Sequence, residues 1–191
     1  MAAIKPQHNI GLSFTDSRDS RSYKVILLRQ RLWTAENHSY YSSFGTFGLN
    51  NRSMNIHELG GFYAQNVVET VCPPGWDIPT VREWQELYSV WKRNYNDLRF
   101  LDFASASIVD DLGTFPMNGI GKMCDDLFDE ASFSETGEAA YFWTSTSEDS
   151  GERKIFGITC DGCKIFSSVG SELCNLRFVK RINKEKEGNM S

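Results

Sequence analysis

Long apolar runs are missing from this chain: Val25-Ile26-Leu27-Leu28 is far short of the roughly 20 residues that a membrane-crossing helix needs. Basic charge is also in deficit, with 20 Lys and Arg against 25 Asp and Glu. A chain without a basic excess lacks the footprint by which nucleic-acid binders neutralise phosphate. The opening Met1-Ala2-Ala3-Ile4-Lys5-Pro6-Gln7-His8 has no apolar core of a secretory signal, so the protein is expected either to stay inside or to have lost a leader. Cysteine is sparse and odd in number, at 5. That density is below a disulfide scaffold, and at least one thiol must be free or pair with another chain. Ser145 lacks the Gly-x-Ser-x-Gly elbow of a hydrolase, and neither Gly-x-x-x-x-Gly-Lys-Ser/Thr nor Gly-x-Gly-x-x-Gly occurs, which removes the commonest phosphate-cradling loops. The histidines His8, His38 and His57 fall in loop-like or polar surroundings and suggest no triad spacing.

Aromatic residues, by contrast, are abundant: 13 Phe, 7 Tyr and 5 Trp make up 13% of 191 residues. Each can bury roughly 150–250 Å², enough to fill the core of one globular domain with modest regular structure. Tyr23–Leu28 reads as a first strand, with Leu32–Ala35 continuing or pairing with it. Residues 36–56 read as a long loop, and His57–Thr70 as a short helix weakened by Gly60-Gly61. After the rigid turn Cys72-Pro73-Pro74-Gly75-Trp76, Thr80 and Glu83 form a capping box. Val81, Trp84, Leu87, Tyr88 and Trp91 then recur at helical spacing, predicting an amphipathic helix over 81–93 whose aromatic face is core. Tyr141–Thr146, Lys154–Cys160, Cys163–Val169 and Leu176–Ile182 read as strands. Asp161-Gly162 predicts a type I′ hairpin with Cys160 opposite Cys163, Ile158 opposite Ile165 and Phe156 opposite Ser167.

Two clusters invite chemical readings. Cys160-Asp161-Gly162-Cys163 has C-x-x-C spacing: it is open to a redox pair, half of a zinc site, or two cross-strand neighbours, and a hairpin tip favours the last. The carboxylates of Asp125–Glu130 lack the ordered spacing and glycine of a calcium loop and read as a solvated acidic face. No cofactor and no metal is expected.

Asp16-Ser17-Arg18-Asp19, Ser22-Tyr23-Lys24-Val25, Leu32-Trp33-Thr34-Ala35-Glu36-Asn37, Gly61-Phe62-Tyr63, Cys72–Thr80, Glu83-Trp84, Glu138–Thr146 and Asn175–Lys180 follow one another in an order that resembles the Fibrobacter succinogenes major paralogous domain family. The blocks run from about residue 14 to 182. The resemblance implies an α+β, C-type-lectin-like fold, with two helices packed on a small twisted antiparallel sheet and long loops. It divides the chain into an N-terminal arm (1–13), the domain (14–183) and a charged tail (184–191). It implies structural roles for Cys72, Trp76, Thr80, Glu83, Trp84 and Trp143. Phe178 stands where the family has its late cysteine, so Cys72 lacks the partner of the long-range disulfide; Cys174 lies four residues earlier. The Glu-Pro-Asn and Trp-Asn-Asp motifs of calcium-dependent lectins are absent. Members are mostly surface or secreted bacterial proteins, so the expected function is a non-enzymatic ligand-binding or adhesion module on a cell surface, with a virion or cytoplasmic protein as the alternative. Its partner is a protein or glycan, met by exposed loops of the C-terminal third: Glu148, Asp149, Glu152, Arg153, Lys154, Lys164 and Glu172. The competing expectation is an enzyme of the formylglycine-generating type using Cys160 and Cys163.

Overall fold

The structure, a computed structural model, describes residues 12–94, 117–124 and 127–182. The arm and the tail therefore lie almost wholly outside the described residues, as do His8, Asp125 and Asp126. Strands outnumber helices. In chain order they are β1 (Ser13–Thr15), β2 (Ser22–Leu28), β3 (Arg31–Thr34), β4 (Thr46–Phe47), α1 (Met54–Leu59), β5 (Phe62–Ala64), α2 (Val68–Val71), α3 (Val81–Asn94), β6 (Ile120–Cys124), β7 (Leu127–Ser134), β8 (Ala139–Ser147), β9 (Arg153–Thr159), β10 (Gly162–Ser167), β11 (Glu172–Cys174) and β12 (Val179–Arg181). They form three sheets, ordered β1-β2-β3-β12, β10-β9-β8 and β4-β5-β11-β6-β7.

This architecture overturns the expected C-type-lectin-like plan of two helices on one small sheet. Only α3, of 14 residues, is a long helix among the described residues. The helix expected over His57–Thr70 does not form. At Gly60 the backbone takes φ +89°, and a Cβ there would lie 2.3 Å from the Asn37 Cβ, so the chain must turn where a glycine alone fits. Phe62, Tyr63 and Ala64, all buried, then enter a sheet as β5. A strand sends successive side chains to opposite faces. Phe62 and Ala64 accordingly join one core cluster with Leu173, while Tyr63 joins another with Trp143 and Phe178. Helical turns flank it as α1, of 6 residues, and, after a 3₁₀ turn at Gln65–Val67, as α2, of 4.

The aromatic run in β8 is divided in the same way. Ala140 and Phe142 pack with Trp33, Trp84 and Phe156, and Ala139, Tyr141 and Trp143 pack with Trp76, Ile155 and Phe178. The strand is thus buried on both faces, between α3 and the first sheet on one side and the Cys72–Trp76 turn on the other. Trp84 stacks on Phe142 with ring centroids 4.4 Å apart and meets Trp33 edge-on at 5.4 Å. Trp143 donates its indole N–H to the Tyr63 carbonyl at 2.6 Å.

The capping box forms as the spacing predicts. The Thr80 hydroxyl accepts from the Glu83 amide at 3.1 Å, and Glu83 Oε2 accepts from the Thr80 amide at 2.9 Å. Thr146, at the end of β8, accepts from the Val81 amide at 3.0 Å, so another orphan donor of the first turn is satisfied by the sheet the helix covers.

Two strand expectations need correction. In the C-x-x-C hairpin, Gly162 pairs with Thr159, Cys163 with Ile158 and Ile165 with Phe156. The register is slipped by two residues and the turn is Cys160-Asp161. Neither residue has the positive φ of a type I′ turn, and Gly162, at φ +145°, follows the turn as the first residue of β10. Toward the C-terminus, the strand expected over Leu176–Ile182 is confined to β12. Leu176, Arg177 and Phe178 are all buried, so the apolar-basic alternation does not mark an inner and an outer face.

Replacing Thr80 by Ala should lower the unfolding free energy by about 1 kcal/mol, the ordinary cost of a lost N-cap, as measured by urea denaturation. Glu83→Ala should cost more, because its buried carboxylate also holds Arg31 Nε at 3.2 Å and Arg181 Nη2 at 3.3 Å.

Candidate functional site

The loops singled out from sequence fall into one assembled group and one separate residue. The β8–β9 connection is closed by the Glu148 amide donating to the Glu152 carbonyl at 2.8 Å. Lys154 pairs with the Glu148 carboxylate, and the Ser167 hydroxyl donates to the same oxygen at 3.0 Å. This network joins the β8–β9 loop to the turn that follows β10. In that turn Glu172 Oε2 accepts from the Ser168 hydroxyl at 2.6 Å and from the Val169 and Gly170 amides at 3.0 and 3.1 Å. Glu172 therefore shapes its loop from within. Arg153 is likewise committed, to Glu69 at 2.6 Å and to the Thr144 carbonyl at 2.8 Å, and Glu152 accepts from the Ser150 hydroxyl. Asp149 is exposed at the tip of one loop, and Val169, 78% exposed, projects from the other. Lys164 stands apart. It sits opposite Gly157 in the β9–β10 ladder, 4.8 Å over the Tyr141 ring, and pairs with Glu135 at 3.4 Å.

The cysteines are all unpaired. Cys160 and Cys163 are exposed at the hairpin turn. Cys174 is wholly buried, and burial pushes its thiol well up. Cys72 packs against the cluster that contains Phe178 and Trp76, and burial, helped by Glu69, pushes its thiol up to about 12. Among the described residues no three His, Cys, Asp or Glu side chains converge as metal ligands, and no helix is long and apolar enough to cross a membrane. Of the Asp125–Glu130 carboxylates, only the side chain of Glu130 is described, and it is exposed.

A concavity lined by none of these loop residues is not legible in the sequence. A cavity of about 170 Å³ opens between the start of β2, the chain after β3, and α1; Arg21, Glu36, Asn37, His57, Glu58 and Arg177 line it. Arg177 is 1% exposed, and its Nε donates to Asn37 Oδ1 at 3.1 Å. Desolvation lowers its pKa to about 9, with Glu36 opposing the shift. Asn37 in turn donates to the Leu59 carbonyl at 3.2 Å. Arg21 Nη1 meets His57 Nδ1 at 3.0 Å, and its Nη2 donates to the His57 carbonyl. The available signal was an arginine inside an otherwise apolar run, Leu176-Arg177-Phe178-Val179, which the alternation disguised as an exposed position.

Beside the cavity lies a second feature hidden from the sequence. His38 is not in polar surroundings: it is 1% exposed, with Tyr23 at 5.3 Å, Tyr63 at 5.9 Å and Phe178 at 4.8 Å between ring centroids. Its Nε2 has no hydrogen-bond partner among the described residues. Burial, reinforced by the Arg18 charge, lowers its pKa to about 3.

The chain matches no family model, no curated protein and no solved structure.

His38 yields a pH-dependent prediction. It is neutral in the folded protein down to about pH 3, whereas in the unfolded chain it takes a proton near its ordinary value of about 6.5. The unfolded state therefore binds more protons in that window, and stability falls as pH drops through it, by up to about 1.4 kcal/mol per pH unit. Urea unfolding of His38→Phe between these limits should show a shallower decline than the parent by about that slope.

Proposed function

We propose that this chain is a non-catalytic recognition module, an adhesion or ligand-binding domain of a bacterial surface or phage-related protein. Its ligand, a protein or glycan, meets the paired loops of the C-terminal third. One observation carries the reading: the β8–β9 loop and the β10–β11 turn are locked side by side through Lys154, Glu148 and Ser167, at the ends of strands whose inner residues are buried. Loops held in one arrangement by a rigid scaffold lose little entropy on binding, which favours recognition. Asp149 and Val169 are the contacts this arrangement offers outward. Glu148, Lys154 and Glu172 act by holding the loops, and Arg153 by tying them to α2. The ordered resemblance of the sequence blocks to a family of bacterial surface proteins supports the same reading and supplies the proposed location.

Support also comes from the thiols. The formylglycine-generating alternative needs a reactive cysteine pair, and Cys163 faces Ile158 across the ladder while Cys160 occupies the turn.

The test is to probe protein and glycan arrays with the purified chain and repeat the best signal with the doublet Asp149→Lys, Val169→Asp. The reading predicts a saturable signal that falls by about tenfold or more in the doublet, with an unchanged near-ultraviolet spectrum. An unaffected signal, or tight copper binding abolished by replacing Cys160 and Cys163, would contradict it.

A further inference from the structure

The cavity beside α1 is independent of the loops and has its own chemistry. At about 170 Å³ it holds roughly the volume of five or six waters at ~30 Å³ each. That is far below the pockets of drug-sized ligands and fits a molecule of a few non-hydrogen atoms. Its lining residues include two arginines, Arg21 and the almost wholly buried Arg177, and two glutamates, Glu36 and Glu58, so the formal charges cancel. A simple anion entering the cavity would gain the arginines and meet the carboxylates; a simple cation would do the reverse. A ligand bearing both charges satisfies both sets.

The cations are also prearranged. Arg21 is held by two contacts to His57, at Nδ1 and at the carbonyl. Because Nδ1 accepts from Arg21, the neutral ring carries its proton at Nε2. Arg177 is fixed by Asn37, itself fixed to the end of α1. The planar fork of arginine suits a carboxylate, and a buried guanidinium acts through a low local dielectric.

We propose that this cavity binds a small zwitterionic amino acid, with its carboxylate taken by the guanidinium groups of Arg21 and Arg177 and its ammonium group by Glu36 or Glu58. The site is separate from the loop surface, and either can stand without the other.

Isothermal titration of the full chain with glycine, γ-aminobutyrate, acetate, methylamine and inorganic phosphate tests this. One of the two amino acids should bind at a single site about tenfold or more tighter than acetate or methylamine. Arg21→Gln should weaken that binding about tenfold or more, and Glu58→Gln should weaken the amino acid but leave acetate unchanged. Arg21 is half-buried and Glu58 exposed, so both variants leave the core intact, and matching thermal midpoints will verify it. Phosphate as the tightest probe would overturn the proposal. So would the absence of saturable amino-acid binding at millimolar concentration, or indifference to both substitutions.

Discussion

No residue from Leu173 to Val179 is exposed, and this run ties the three sheets to one another. Leu173 and Cys174 pair with β5, and Leu173 also with β6. Asn175 then bridges to β8: its amide donates to the Tyr141 carbonyl at 2.9 Å and its carbonyl accepts from the Trp143 amide at 3.2 Å. Leu176 accepts from the His38 amide, Thr34 and Phe178 are joined through Thr34 Oγ1, and Val179 begins β12 beside β3. A buried backbone must find partners for every N–H and C=O. Here each sheet supplies some of them, so no sheet is complete until this segment is in place. Of its two polar side chains, Asn175 donates to the Gly61 carbonyl at 2.8 Å while its Oδ1 has no hydrogen-bond partner among the described residues, and Arg177 reaches Asn37.

Charge fixes the peripheral elements to that frame. The wholly buried Asp16 carboxylate binds Arg18 through both oxygens, the shorter contact being 2.6 Å. Burial opposes its ionisation, and the Arg18 hydrogen bonds outweigh burial, so its pKa is lowered. The same guanidinium donates to the carbonyls of Thr70, Val71 and Cys72 and lies 4.1 Å over the Tyr40 ring. One arginine near the N-terminus thus satisfies the end of α2 and seats the Cys72–Trp76 turn. Glu83 plays the matching part at α3, joining Arg31 on β3 to Arg181 on β12. Breaking one partner of such a pair strands a buried charge, which is why these groups matter more to the fold than surface pairs such as Lys164–Glu135.

What the sequence disclosed follows from locality. Thr80 and Glu83 act within one turn of helix, Trp84, Leu87 and Tyr88 within two, and β2 and β3 are joined by a short hairpin; each is legible because its partners are near in the chain. The failures are of the opposite kind. Phe62-Tyr63-Ala64 reads as helix because its strand character comes from two clusters assembled by distant residues. Arg177 and His38 looked exposed because their burial depends on contacts with Asn37, Tyr23, Tyr63 and Phe178. The hairpin slipped by two residues because Asp-Gly marks a turn without saying which residue takes the positive φ. Of the proposed loop surface, the grouping of Glu148, Asp149 and Lys154 along one connection was legible in the sequence. The cavity was not, since its walls come from four separated stretches of chain.

Leu173–Val179 is the common element that pairs with β5 and β6, bridges to β8 and continues into β12. Native-state amide hydrogen exchange tests it most directly. The amides of Asn175, Phe178 and Val179 should exchange only through global unfolding, with the same opening free energy as Trp143 in β8 and Ile26 in β2. Exchange of these three amides through a smaller, separate opening, while β2 and β8 stay protected, would contradict the account.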